Sequence, residues 1–307
     1  KKETPNEELT AIENPIEKLW RDWIDTVSAT AYNNRGNSYY DLGKYQLAID
    51  DYNRAIRINP DYADADAYYN RGNSYNYLGK YQLAIDDYNR AIKINPDFAK
   101  AYNNRGLAYG KLDKYQLAIN DFNRTIRIKP DYVVAYNNRG LLYSELGKYQ
   151  LAIDDYSRAI KINPDFADTY YNRGLEYNSL GKYQLAIDDF SRAIKINPDD
   201  ADTYNDRGIS YKKLGKYQLA ILDYNRAIKI KPDFVDAYYN RGLLYHDLEK
   251  YKLSIDDYSR AIKINPDYIK AYYNRGFVKM KLRSDYCSDY KKACELGACD
   301  NYNIFCK

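Results

Sequence analysis

The stretch GKYQLAIDDYNRAIKINPDFAKAYNNRG runs from Gly79 to Gly106, and nearly the same words, GKYQLAIDDYSRAIKINPDFADTYYNRG, run from Gly147 to Gly174. The tripeptide Asn-Arg-Gly marks the beat. Its glycines are Gly36, Gly72, Gly106, Gly140, Gly174, Gly208 (where Asp206 replaces the Asn), Gly242 and Gly276, spaced 36 residues once and 34 thereafter. The longer first step comes from an extra Ala-Asp pair near Ala63 and Asp64. A fixed period of this length marks an array in which each unit buries its face on its neighbours. Length then counts units, not globular domains.

Each unit carries two helical patterns. The first, as in ADTYYNRGLEYNSL (167–180), ends at Gly181, a residue type favoured just past a helix end. In the second, KYQLAIDDFSRAIKI (182–196), Tyr183, Ala186, Ile187, Phe190, Ala193, Ile194 and Ile196 fall mainly at three- and four-residue spacings and make one helix face. Asn197-Pro198 stops it, because the residue before a proline is pushed out of the α region. Asp199 is placed to cap the next helix, and the acid pairs Asp61 to Asp64 and Asp165 to Asp168 resemble a weak capping box. Gly140, Ala152 and Ala159 let helix backbones approach closely, with Tyr136, Tyr143, Tyr149 and Tyr156 filling the space around them. Most of the 39 tyrosines recur at such fixed places and read as packing residues.

Lys and Arg total 47 against 43 acids, with the signs interspersed. That is a mixed, solvated surface, and no nucleic-acid partner is expected from it. No apolar run reaches 18 residues, so no membrane insertion by a helix is expected. The chain begins at Lys1 and shows no secretory leader. Material for catalysis is scarce. The lone His246 reads as a surface residue, and Asp pairs such as Asp154-Asp155 recur along the array as a solvated face paired with nearby Arg and Lys. There is no phosphate-binding glycine loop and no metal-ligand spacing. The expectation is a chain that is not itself an enzyme and takes no cofactor or metal.

A 34-residue helix-turn-helix with Tyr136, Gly140, Tyr143, Ala152, Tyr156, Ala159 and Pro164 in these places resembles the tetratricopeptide repeat. Seven full units cover 29–62, 65–98, 99–132, 133–166, 167–200, 201–234 and 235–268, and a degenerate eighth covers 269–298. Some positions depart from the family. Arg35, Arg71, Arg105 and their counterparts stand where an aliphatic residue is usual; Asp113 and Glu249 replace the turn glycine; Thr125 and Ser254 replace small alanines; Leu222 replaces an Asp. The resemblance implies an all-α, right-handed superhelical solenoid of stacked helix-turn-helix repeats, with first helices lining a concave wall. It implies a protein–protein interaction scaffold that binds an extended or helical segment of a protein or peptide partner in that groove. The competing reading is a regulatory or sensor repeat domain excised from a larger enzyme or signalling protein.

Three rows on the first helices are the candidate peptide-binding positions. Two residues before each glycine stand Asn34, Asn70, Asn104, Asn138, Asn172, Asp206, Asn240 and Asn274. In family members that hold extended peptides, the Asn at this place bonds the peptide backbone; an amide donates and accepts at once, as a peptide unit requires. The alternative is an Asn that bonds a neighbouring helix. One residue earlier the row alternates between Asn and Tyr, with Tyr69, Tyr171 and Tyr239 among its members. One residue after each glycine it runs from Asn37 and Asn73 to Leu107, Leu141 and Leu175, so the groove is expected to become more apolar from repeat three onward.

Both ends depart from the beat. Residues 1–14 read as a polar tail. In NPIEKLWRDWIDTVSA (14–29), Ile16, Leu19, Trp20, Trp23, Ile24 and Val27 form one stripe, which includes the only two Trp of the chain. Residues 15–28 are therefore expected to form a capping helix laid on the first repeat; the sharper alternative is a helix for self-association or one that joins an upstream domain. At the other end, KKACELG (291–297) resembles Sel1-like relatives of the family, and 299–307 is expected to form a short capping helix. Cys287 and Cys294 are seven apart, as are Cys299 and Cys306. In a helical hairpin turning near Gly297, Cys294 faces Cys299 and Cys287 faces Cys306, since both pairs share the index sum 593. The pairs stand about 10 Å apart, too far for one four-cysteine zinc centre. Two disulfides fit a periplasmic or secreted protein, and four reduced buried thiols fit a cytoplasmic one.

Overall fold

A computed structural model of the chain describes residues 15–58 and 65–306. The expected tail, the Asp61–Asp64 pair and the extra Ala-Asp pair lie outside them. Among the described residues there are seventeen α-helices and no strand. In chain order, α1 (Pro15–Asp41) precedes α2 (Tyr45–Ile58), α3 (Ala65–Tyr77) precedes α4 (Tyr81–Ile94), and α5 (Ala99–Lys111) precedes α6 (Tyr115–Ile128). Then come α7 (Val133–Glu145), α8 (Tyr149–Ile162), α9 (Ala167–Ser179), α10 (Tyr183–Ile196), α11 (Ala201–Lys213) and α12 (Tyr217–Ile230). The last five are α13 (Val235–Asp247), α14 (Tyr251–Ile264), α15 (Ile269–Lys281), α16 (Cys287–Glu295) and α17 (Asp300–Phe305). Two compact units divide the chain, Lys1–Leu142 and Tyr143–Lys307.

The core of each unit follows from the beat. Gly36, Gly72, Gly106, Gly174, Gly208 and Gly242 each sit where a first-helix backbone meets an aromatic ring of the second helix sixteen residues on, and Gly276 meets that of Tyr290, fourteen residues on. A Cβ built on Gly72 would stand 2.8 Å from the ring of Tyr88, and one on Gly174 would stand 2.7 Å from the ring of Phe190. Both rings are fully buried, as are Ala84 and Ala186 beside them. The turn between the helices needs a left-handed residue. Gly79 supplies it at φ 71°, and Asp113 and Glu249 adopt the same conformation at φ 57° without glycine's freedom.

The helix starts differ from the expected caps. Asp199 does not cap: its N–H donates to Asn197 Oδ1 (3.4 Å), and the next residue, Asp200, accepts from the Asp202 N–H (3.1 Å). Asp97, Asp165 and Asp267 likewise donate their N–H groups to the Asn before the proline. The position flanking the helix is Phe98, Phe166, Phe234 or Tyr268, none with a side-chain cap. There the residue packs instead: the Phe98 ring lies 4.9 Å from that of Tyr69.

The recurrent Asp pairs are also not a uniformly solvated face. The second Asp of each pair is buried and receives the Arg that precedes the glycine. In α3 and α4, Arg71 Nε donates to Asp87 Oδ2 (2.7 Å) and Nη2 to Oδ1 (2.5 Å), while Nη1 donates to Asn53 Oδ1 on α2 (2.6 Å). The same fork links Arg105 to Asp121, Arg173 to Asp189, Arg207 to Asp223, Arg241 to Asp257 and Arg275 to Asp289. Each Arg therefore ties its own repeat together and reaches the second helix of the repeat before. Tyr68 and Tyr75 flank the Arg71 guanidinium at 5.5 and 6.0 Å. The first Asp of the pair stays at the surface, and Asp50, Asp86, Asp154 and Asp188 each take a bond from the Gln four residues earlier, as Asp86 does from Gln82 (3.1 Å).

The N-terminal cap is corrected too. No Pro or Gly separates Val27 from Tyr32, so α1 runs unbroken from Pro15 through the first helix of repeat one. Residues 15–28 extend that helix rather than folding back over it, and Ile16, Leu19, Trp20, Trp23, Ile24 and Val27 are half exposed or more. The C-terminal end has the expected pairing: Cys287 bonds Cys306 and Cys294 bonds Cys299, with Cα–Cα separations of 5.6 and 3.9 Å. A cross-link spanning 19 residues stabilises by about 3 kcal/mol through the unfolded chain. Reduction is therefore expected to raise hydrogen exchange in residues 287–306 while α11 to α14 stay protected; unchanged exchange there would show that packing alone holds the cap.

Candidate functional site

The first-helix rows meet one another rather than standing apart. In the first unit, Asn70 Nδ2 donates to Asn37 Oδ1 (3.0 Å), Asn104 Nδ2 to Asn73 Oδ1 (2.8 Å) and to the Tyr69 hydroxyl (3.0 Å), and Asn138 Nδ2 to Asn103 Oδ1 (3.1 Å). In the second unit, Asn240 Nδ2 donates to Asn205 Oδ1 (3.0 Å) and Asn274 Nδ2 to the Tyr239 hydroxyl (2.9 Å). Each bond joins the first helices of consecutive repeats. The partner one repeat earlier is thus the row before the Asn row at Tyr69, Asn103, Asn205 and Tyr239, and the row after the glycine at Asn37 and Asn73.

At Asp206 the polarity reverses. A carboxylate donates nothing, so the Tyr171 hydroxyl donates to Asp206 Oδ2 (2.9 Å) and Asn205 Nδ2 to Oδ1 (3.0 Å). Burial pushes this carboxyl up to about 6, against the pull of those two donors and with help from Asp202 and Asp200. The rings of the tyrosine row pack as well: Tyr69 against Phe98, Tyr171 against Phe190 and Tyr239 against Tyr268, at centroid separations of 4.9, 5.9 and 5.3 Å. These tyrosines are half-buried members of the helix interface.

The surface left to a ligand is therefore narrower than the three rows. Among the described residues, the carboxamide oxygens of Asn70, Asn138, Asn240 and Asn274 accept no hydrogen bond. Asn34, in the first repeat, is exposed, and Asn172 is half-buried with a polar partner of its own. Of the third row, Leu107 and Leu141 are exposed and Leu175 is half-buried. Leu107 and Leu141 each stand three residues beyond an Asn of the first row, on the same helix face. In the first two repeats this row is polar, with the Tyr52 hydroxyl donating to Asn37 (2.8 Å) and that of Tyr88 to Asn73 (2.9 Å). A polar cavity of about 210 Å³ opens there, lined by Asn37, Tyr40, Asp41, Tyr52, Asn70 and Asn73. His246 is half-buried, with its ring 5.6 Å from that of Phe277.

Sequence reasoning missed a second surface. Leu47, Leu83 and Leu117 in the first unit, and Leu151, Leu185, Leu219 and Leu253 in the second, are all exposed on second helices. Leu83 edges a cavity of about 590 Å³ with Tyr68, Arg71, Tyr75 and Arg90, and Leu253 edges one of about 750 Å³ with Tyr238, Arg241, Tyr245 and Arg260. The signal was the invariant Leu of KYQLAI, a large apolar residue off the buried stripe of its helix. Among the described residues, no group of three His, Cys, Asp or Glu side chains is arranged to hold a metal, and no helix is long and apolar enough to cross a membrane.

The tetratricopeptide-repeat family signature matches residues 29–62, 65–98, 99–132, 133–166, 167–200 and 235–268. The chain belongs to the tetratricopeptide-repeat family. Related repeat signatures of that family match residues 190–221 and 210–248, which fill the gap at repeat six. Three solved structures share the fold. A tetratricopeptide-repeat protein from Parabacteroides merdae is 22% identical over 83% of this chain and 98% of its own, with a TM-score of 0.59. The C-terminal part of a repeat protein from Cytophaga hutchinsonii is 19% identical over 78% and 97%, with a TM-score of 0.64. YrrB, described as a repeat protein with an unusual peptide-binding site, is 22% identical over 61% and 97%, with a TM-score of 0.54. No curated protein matches the chain. An array of tetratricopeptide repeats is in general a protein-interaction scaffold, and this chain is one of that kind.

Proposed function

We propose that the first-helix face of the array binds an extended segment of a partner protein. One observation carries this reading: Asn70 and Asn138 are oriented by a bond to the neighbouring first helix, leave their amide oxygens without a donor, and lie on the same face as exposed Leu107 and Leu141. An oxygen already fixed in direction accepts a peptide N–H with little further loss of freedom. The exposed leucines supply apolar area that a partner side chain would cover. YrrB lends support at the level of the fold. The residues that differ between repeats lie on first helices, where selectivity would reside, while second helices stay nearly constant.

The test begins with a displayed library of random peptides panned on the 307-residue chain. A selected peptide should bind the Leu107→Asp, Leu141→Asp double variant about ten- to hundred-fold more weakly, since each leucine contributes roughly half of a full side-chain burial. The melting curve should stay close to that of the parent, because both side chains already face solvent. Undiminished binding would remove the first-helix reading. The matching control is Leu83→Asp with Leu117→Asp, on second helices, which should leave binding intact.

A further inference from the structure

We infer that the polar cavity between α1 and α3 is an arginine site, which seats the guanidinium of an arginine on the partner segment. This deepens the first-helix reading above and rests on it. Asn37, Tyr40 and Asp41 line the cavity from α1, Asn70 and Asn73 from α3, and Tyr52 from α2. Two of the carboxamide oxygens are already taken. The Tyr52 hydroxyl and Asn70 Nδ2 both donate to Asn37 Oδ1 (2.8 and 3.0 Å), while Asn73 Oδ1 receives the Tyr88 hydroxyl and Asn104 Nδ2 (2.9 and 2.8 Å). What remains is a set of acceptors. Among the described residues, Asn70 Oδ1 and the exposed Asp41 carboxylate receive no hydrogen bond, and no Lys or Arg pairs with Asp41. Burial pushes the Tyr52 phenol up, and Asp41 adds to that push, so the carboxylate stands near this buried hydroxyl.

The chain shows elsewhere how it holds an arginine. Arg105 forks onto the Asp121 carboxylate, donates to Asn89 Oδ1 (2.6 Å) and lies 5.3 and 5.8 Å from the rings of Tyr102 and Tyr109. Arg71 has the same surroundings in Asp87, Asn53, Tyr68 and Tyr75. The recipe is a carboxylate, a carboxamide oxygen and a tyrosine ring. The cavity presents these three groups in Asp41, Asn70 and Tyr40, with no guanidinium of the chain among them. Tyr45 and Tyr77 brace Tyr40, each with its ring centroid 5.5 Å away, so the ring is positioned before a ligand arrives. Asp247 stands five residues after its glycine, as Asp41 does, and accepts the Lys212 ammonium (2.8 Å). The row therefore holds a cation where the chain supplies one.

Other ligands fit less well. A lysine answers Asp41 as a point charge and lacks the planar fork that meets a carboxylate, a second acceptor and a ring face together. A carboxamide leaves Asp41 without a counter-charge, and a carboxylate meets a like charge. One carboxylate is too few for a divalent cation.

The probes are pools of short, labelled, otherwise uncharged peptides with a fixed central Arg, Lys, Gln or Glu, titrated into the full chain. The Arg pool should bind about ten-fold more tightly than the Gln pool and about three-fold more tightly than the Lys pool. Asp41→Asn should bring the Arg pool to within about two-fold of the Gln pool and remove its weakening by salt. Its melting curve should match the parent's, since Asp41 is exposed. Tyr40→Leu should close the gap between Arg and Lys, with helical content by circular dichroism confirming the fold. Asp86→Asn, on α4, should leave every preference in place. No preference for Arg, a Lys pool equal to it in the parent, or a preference that survives Asp41→Asn would overturn the site. The Leu107→Asp, Leu141→Asp variant separates this proposal from the reading it rests on. If that variant weakens all pools and Asp41→Asn weakens none, the first-helix reading stands and the arginine site falls. If it weakens none while Asp41→Asn removes the Arg preference, the arginine site stands without the apolar row.

Discussion

Asp87→Ala is expected to destabilise the first unit by about 3–5 kcal/mol, more than any surface change on the same helix. The carboxylate side chain is 6% exposed and the Arg71 guanidinium facing it 17%, so truncation strands a nearly buried cation. Its other donor bond, to Asn53, satisfies one nitrogen and leaves the two that faced Asp87 unpaired. Burial, helped by neighbouring Asp86, pushes the Asp87 carboxyl up against the pull of the Arg71 fork. A buried ion pair is therefore weak evidence of net stability, although breaking it is severe. Replacing both partners, Arg71→Met with Asp87→Leu, should recover at least half of the loss. The adjacent Asp86→Ala should change stability by less than about 0.5 kcal/mol, as expected for a surface site. Because repeat arrays need not unfold in one step, native-state hydrogen exchange across α3 and α4 is the proper readout. Equal effects at Asp86 and Asp87 would contradict the account of the pair.

Gly174→Ala should cost about 2 kcal/mol in spite of alanine's better helix propensity. Two effects oppose each other. Removing glycine from a helix interior gains about 1 kcal/mol. The new Cβ would lie 2.7 Å from Cε1 and 2.9 Å from Cδ1 of Phe190, a ring with no exposed surface and no room to withdraw, and overpacking of this kind costs roughly 1–3 kcal/mol or more. The clash should win. Gly110, in α5, provides the internal contrast: nothing stands within 4 Å of its built Cβ, so Gly110→Ala should stabilise by up to about 1 kcal/mol. Thermal or chemical unfolding of the two variants should move in opposite directions. A shift of the same sign in both would mean that propensity, not ring contact, sets the requirement for glycine.

Periodicity made the helices legible, because each unit repeats its apolar spacing, its turn glycine and its Asn-Pro stop with little variation. The cysteine pairing was legible for a similar reason, since a hairpin requires a constant index sum. The buried Arg–Asp pair was not read, although its signal was present. Where the first Asp of a pair changes, as at Asn120 and Leu222, the second stays as Asp121 and Asp223. The variable member is the exposed one, and the constant member answers the unusual Arg before the glycine. The end of the N-terminal helix was misjudged because an amphipathic stripe says that a face must be covered and says nothing about what covers it. Only the missing helix breaker between Val27 and Tyr32 could have shown that the helix runs on. At the candidate site, the Asn row was legible as a row. Its bonds to the preceding repeat depend on which helices become neighbours, and spacing within one unit does not encode that.

The most direct test of the central claim is photo-crosslinking. A peptide selected on the chain would carry benzoylphenylalanine at each of its positions in turn, and the attached residues would be mapped by mass spectrometry. Binding on the first-helix face predicts attachment within α5 and α7, close to Leu107 and Leu141. Attachment concentrated on α4 and α6, around Leu83 and Leu117, would contradict it and move the binding surface to the second helices.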